Sequence, residues 1–237
     1  MGALLASAIA VSCTGSGGAT RDSTSGTKPS IPEENPARTA AAVVPPASPD
    51  PTARRTILFL GTSLTAGLGL DPDSAYPQRI QRKIDAAGLP YQVVNAGVSG
   101  ETSAGLLRRL DWVLKQPAEI IVVETGANDG LRGLPITATS ATIASALDRI
   151  RRDRPAASLL LVQMEAPPNM GQDYTRAFHA MFPALAREHG ATLLPFLLEN
   201  VAGRPNLNQS DGIHPNNAGE RIVTDNIWRV LQPMLAR

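Results

Sequence analysis

An α/β fold, a parallel sheet covered on both faces by helices, is what the sequence predicts, and three observations predict it. Five short apolar runs recur between residue 56 and residue 196. The first, residues 56–60, is continuous rather than alternating, as expected of a strand buried on both faces. Segments with helical spacing separate them, so strand and helix alternate and the crossovers are right-handed.

Each element follows from local chemistry. Thr56-Ile57-Leu58-Phe59-Leu60 is the first run. Tyr76, Ile80, Ile84 and Ala87 then recur at helical spacing, with Gly88 as the stop signal. Residues 91–95 form the second strand. The helix over 102–115 turns Leu106, Leu107, Leu110 and Val113 or Leu114 inward. Residues 119–124 make the third strand, and Ile143, Leu147 and Ile150 mark the next helix. The fourth strand covers 158–164. A helix over 174–188 follows, carrying Phe178, Met181, Phe182 and Leu185, and the fifth strand covers 191–196. The last helix starts near Asn216, with Val223, Ile227, Val230 or Leu231, and Met234 inward. The chain has no internal repeat.

The first fifty residues are different material. Leu4 to Val11 are apolar but too few to span a bilayer as an ordinary helix. The stretch ends at Ala10-Val11-Ser12-Cys13, after which Gly, Ser, Thr, Pro and Ala dominate to residue 53. Residues 1–13 are similar to a bacterial lipoprotein signal, with Cys13 as the lipidated residue and membrane anchor. Simple cleavage of a secretory signal and a buried thiol are the alternatives. The tract 14–53 lacks apolar periodicity and reads as a disordered linker, leaving 54–237 as the catalytic domain. Cys13 is the single cysteine, so no intrachain disulfide forms. With 22 Lys and Arg against 21 Asp and Glu, a net charge of +1 gives no reason to expect nucleic acid as a partner. The Arg-rich stretch Arg149-Ile150-Arg151-Arg152-Asp153-Arg154 reads as a solvated helix end rather than a binding patch.

Asp211-Gly212-Ile213-His214-Pro215 carries the chemistry. A carboxylate three residues ahead of an imidazole lets one tight turn hold both, fixing the tautomer and stabilising the imidazolium. Gly61-Thr62-Ser63-Leu64, at the end of the first run, supplies a hydroxyl above the sheet edge and beside a helix start. Ser63, Gly100, Asn128 and the Asp211–His214 pair all follow carboxyl ends of strands, the rim where open sheets of this kind gather ligands. Ser63 is therefore the expected nucleophile, His214 its base and Asp211 the orienting carboxylate. The N–H groups of Ser63 and Gly100 and the side-chain amide of Asn128 are the expected oxyanion donors, each worth about 10²–10³ in rate.

These blocks resemble the SGNH-hydrolase (GDSL esterase/lipase) superfamily, in the branch of the bacterial thioesterase I/lysophospholipase and arylesterases. The resemblance runs from about residue 55 to the end. Gly61-Thr62-Ser63-Leu64-Thr65-Ala66-Gly67 is similar to the first block, and 95–103 to the glycine block. Residues 126–133, beginning Gly126-Ala127-Asn128-Asp129, are similar to the Gly-x-Asn-Asp block, and 211–216 to the last. The loop 166–171 is similar to the one shaping the acyl pocket, which implies substrate contacts for Pro168, Asn169 and Gly171. The resemblance further implies a three-layer α/β/α sandwich on a five-stranded flavodoxin-like sheet. It implies a serine esterase working through an acyl-enzyme on small-molecule esters or thioesters, with no cofactor and no metal. Oligomeric state is left open. A carbohydrate O-deacetylase of the same fold and a non-catalytic surface binding protein are the competing readings. One position departs: the family's Asp before the serine is Thr62 here. That carboxylate supports the turn without joining the triad, so activity is expected to survive.

Other residues have plainer roles. His179, on the polar side of its helix, and His189, before Gly190, read as solvent or capping histidines. Ser99 and Ser103 read as turn or capping residues, Asp129 as a loop stabiliser and Glu101 as a partner of a helix N-terminus. Asn208, Gln209 and Asp211 do not make a metal set. The Gly-rich segment 61–69 lacks the Lys of a phosphate loop.

Overall fold

The computed structural model describes residues 54–235. The leader-like segment, Cys13 and the linker lie outside the described residues. Five strands form one parallel sheet: β1 (Arg55–Gly61), β2 (Tyr91–Gly97), β3 (Ile120–Glu124), β4 (Ser158–Val162) and β5 (Thr192–Leu194), in the order β2-β1-β3-β4-β5. Phe59 of β1 stands level with Asn95 of β2 on one side and Val122 of β3 on the other.

Central position explains the apolar runs. Ile57 to Leu60 and Ile121 to Val123 are fully buried, whereas Val93 and Val94 of the edge strand β2 are only partly covered. On one face α2 (Tyr76–Ala86) packs against α7 (Asn217–Leu235). On the other, α3 (Ser103–Val113), α5 (Ile136–Asp153) and α6 (Gln172–Glu188) pack in succession. The three-layer sandwich and the flavodoxin-like order are thus both present. From β1 the chain moves outward to β2, then crosses back to β3. That reversal opens a crevice at the carboxyl end of β1, where ligands of such sheets bind.

The differences from expectation are local. Two short helices, α1 (Ser63–Ala66) and α4 (Ala127–Leu131), occupy what periodicity read as loop. Strand β5 stops at Leu194 because Pro195 has no N–H for the ladder. Ala87 is the exposed cap of α2, and Gly88 follows at φ 64° as the stop signal requires. Thr102 precedes α3, its hydroxyl accepting from the N–H of Gly105 at 3.4 Å.

Candidate active site

Every expected catalytic group lies beyond a strand's carboxyl end. β1 ends at Gly61, Thr62 continues extended, and Ser63 opens the one-turn helix α1. The loop between β5 and α7 brings His214 over it: Nε2 lies 2.9 Å from Ser63 Oγ. Nδ1 lies 2.6 Å from Asp211 Oδ2. An ionised carboxylate only accepts, so Nδ1 carries the proton and Nε2 faces the serine O–H with its lone pair. The other carboxylate oxygen of Asp211 accepts from the N–H groups of His214 at 3.0 Å and Ile213 at 2.9 Å. Those two bonds and the imidazole bond hold the Asp211 pKa down at about 2.

Side chains hold that loop in place. Gln209 donates from Nε2 to the carbonyls of Leu68 (2.8 Å) and Pro215 (3.0 Å), stitching the His214 loop to the segment after α1. Asn208 donates to the carbonyls of Val201 and Arg204. Asn216 accepts from the N–H groups of Ala218 and Gly219, capping α7. The residues set aside as metal ligands therefore hold backbone.

The expected anion donors lie at the ends of β1, β2 and β3. Gly100 adopts φ 76°, a conformation for which glycine is the natural residue, while its Cβ direction is open space. No turn, loop or cap carbonyl among the described residues accepts from the N–H of Ser63 or of Gly100. Asn128, in the first turn of α4, donates one amide hydrogen to the Glu101 carbonyl at 3.0 Å and keeps its second. Arg132 donates to the Gly100 carbonyl at 3.0 Å.

With this geometry in view, the chain can be compared with known proteins. The model of the GDSL-like Lipase/Acylhydrolase family matches residues 59–222. The chain belongs to that family. It is 39% identical over 185 residues to "Esterase TesA" of Pseudomonas aeruginosa, covering 77% of this chain and 90% of that protein. It is also 39% identical over 184 residues to "Thioesterase 1/protease 1/lysophospholipase L1" of Escherichia coli, covering 77% of this chain and 86% of that one. Among solved structures, the psychrotrophic esterase EstA from Pseudoalteromonas sp. superposes with a TM-score of 0.73 at 33% identity, covering 77% of this chain and all of that one. This member of the GDSL-like family is an ester-hydrolysing serine hydrolase.

In this GDSL-like hydrolase the remaining expectations resolve as follows. Pro168, Asn169 and Gly171 are exposed in the short helical turn between β4 and α6. Their loop leans on the segment after α4: a Cβ at Gly133 would meet Met170 Cε at 2.7 Å. Asp129 reaches further than its own loop, accepting from the Ser103 N–H (2.9 Å) and hydroxyl (2.6 Å) at the start of α3. Glu101, just ahead of α3, lies against its first turn: a Cβ at Gly105 would lie 3.4 Å from Glu101 Oε1. Arg109 of α3 grips its carboxylate through Nε and a terminal nitrogen at 2.8–3.0 Å, a charge-assisted pair. Arg109 also donates to the Gly61 carbonyl. His179 is solvent-facing beside Glu165, and His189 caps α6 with Asp148 alongside. The arginines at the end of α5 do more than meet solvent: Arg151 and Arg154 donate to carbonyls of neighbouring loops.

Sequence reasoning missed Glu124. The apolar pattern marks it only as the last residue of a strand, yet it is fully buried beneath the serine turn. A carboxylate ending an otherwise apolar run was the available signal. Among the described residues no group of His, Cys, Asp and Glu is arranged to hold a metal ion.

Proposed function

We propose that Ser63 is the nucleophile of an esterase that works through an acyl-enzyme, with His214 as general base and acid and Asp211 as the orienting carboxylate. The single observation that carries this reading is the continuous hydrogen-bonded line from Asp211 through His214 to Ser63. Ser63 Oγ attacks the ester carbonyl carbon as its proton passes to His214 Nε2. The carbonyl oxygen becomes an oxyanion, met by the N–H groups of Ser63 and Gly100 and the free amide hydrogen of Asn128. Collapse breaks the bond to the leaving alcohol or thiol, which takes the proton from His214. Water then repeats the sequence on the acyl-enzyme, releasing acid and serine.

The substrates proposed are small carboxylic esters, acyl thioesters and lysophospholipids, a range supported by the names of the relatives. Pro168, Asn169 and Gly171 are proposed to line the acyl side. Export with lipidation at Cys13 remains the proposal for the N-terminus, checked by the intact mass of membrane-fraction protein. Among the described residues no helix is long and apolar enough to cross a membrane.

A fluorophosphonate tests the nucleophile directly. It labels Ser63 in the native enzyme, and Ser63→Ala removes both label and turnover. His214→Ala lowers kcat by about 10⁶ with the fold retained. Substantial turnover in either folded variant would refute the assignment. A series of nitrophenyl esters and acyl thioesters of increasing length then defines the preferred acyl group.

A further inference from the structure

We propose that Glu124 is a positioning residue for the Ser63 nucleophile, its buried carboxylate pinning the serine turn on both sides. The proposal rests on Ser63 being the nucleophile and adds a group that never touches substrate.

The geometry is specific. Glu124 ends β3, beside the end of β1, and has no solvent exposure. Its Oε2 accepts from the Thr62 N–H at 2.7 Å and from the Thr65 hydroxyl at 2.9 Å. The Thr62 hydroxyl lies 2.9 Å from Oε1 and 3.0 Å from Oε2. Every contact is a donor pointing inward, and the donors come from the residue before Ser63 and from two residues after it. Thr65 has one hydrogen, spent on Glu124, so the buried hydroxyl of Tyr76 donates to Thr65 and extends the cluster into α2.

Two further observations fit a built device rather than a casual contact. Room for the carboxylate exists only because residue 61 is glycine: a Cβ there would lie 2.8 Å from Glu124 Oε2 and 1.8 Å from Thr65 Oγ1. Binding the Thr62 N–H to Glu124 also takes it away from the front of the turn, leaving the next N–H, that of Ser63, to face the developing oxyanion. Thr62, where the family resemblance leads one to expect Asp, supplies a hydroxyl donor instead of a second carboxylate. Two carboxylates in contact would repel unless one kept its proton. With Thr62, a single buried carboxyl group is enclosed by N–H and hydroxyl groups. Burial raises the Glu124 pKa above the ordinary carboxyl value, and the Thr62 and Thr65 hydrogen bonds oppose that rise.

The test uses the full-length enzyme and reads nucleophile reactivity separately from folding. Fluorophosphonate labelling rate, kcat and KM are measured for wild type, Glu124→Gln and the double variant Thr62→Asp/Glu124→Gln, each checked by thermal melting. The amide of Glu124→Gln cannot accept from all the converging donors, so the turn shifts. A displacement of about 1 Å costs up to about 10²-fold, so kcat and labelling rate are expected to fall together by about 10- to 100-fold, with KM within about twofold. The double variant returns a carboxylate to the cluster and is expected to recover a large part of the loss. Folded Glu124→Gln with wild-type labelling rate and kcat would overturn the proposal, as would a double variant no faster than Glu124→Gln. If Glu124→Gln does not fold, Thr65→Val decides: slower labelling at unchanged KM supports the proposal, and an unchanged rate overturns it. Absence of Ser63 labelling in wild type would instead strike the nucleophile assignment itself, and the proposal with it.

Discussion

At the scale of single residues, the Asp211–His214 pair shows what a short spacing can reveal. Carboxylate and imidazole sit three positions apart, so the turn that joins them is written locally, and the sequence is enough to read it. Glu124 is the opposite case. Its partners Thr62 and Thr65 are 62 and 59 positions away, and only the pairing of β1 with β3 brings them together. With its pKa near 2, Asp211 stays ionised across any working range and contributes no transition to a rate–pH profile above pH 5. Asp211→Asn keeps the shape of the side chain but favours the wrong tautomer, and kcat is expected to fall by about 10⁴. Steady-state kinetics from pH 5 to pH 9 check both statements. A further acid transition lost in Asp211→Asn would contradict the first.

At the scale of elements, the segments that carry the proposed oxyanion donors are tied to one another and to the end of β1. Asp129 ties α4, which carries Asn128, to the first residue of α3, and Arg109 ties the loop carrying Gly100 and Glu101 back to the end of β1. Asp129→Ala leaves the buried Ser103 N–H and hydroxyl without an acceptor, a loss of about 1–3 kcal/mol by denaturant unfolding. It also frees α4, so kcat is expected to drop more than KM rises. Full activity with only reduced stability would show that α4 holds Asn128 unaided. The long helices and the central strands were legible because burial imposes a period of 3.6 or a continuous apolar run. Helices α1 and α4, of four and five residues, are too short to show any period, and their start is set by where β1 and β3 end. Strand order was not in the periodicity either. It came with the family resemblance, since alternation alone fits more than one order.

Across the whole molecule, the site occupies the crevice beyond β1 and β3, and a further buried acid lies on the α2–α7 side. Glu220, in the first turn of α7, is almost wholly buried, and burial raises its pKa to about 8 against the weaker pull of the Tyr76 N–H and Arg79. The folded state therefore holds this proton more tightly than the unfolded chain, whose carboxyl has the ordinary value near 4.5. The resulting stabilisation is complete below that ordinary value and is lost as pH rises through about 8. Glu220→Gln cannot ionise, so its Tm is expected to stay flatter than that of wild type from pH 5 to pH 9, the two diverging most at the alkaline end. Parallel melting curves would mean that Glu220 is charged in the native protein.

The distribution of the triad along the chain has a consequence for biosynthesis. The proposed nucleophile, Ser63, emerges from the ribosome early, but its proposed base arrives 151 residues later, in a loop clamped by Gln209 and by the cap of α7. On this assignment a nascent polypeptide is chemically silent and cannot attack acyl groups in its surroundings before its final helix docks. In refolding experiments, reactivity toward a fluorophosphonate is expected to lag behind recovery of helical circular dichroism. Simultaneous recovery would mean that the serine needs no late partner.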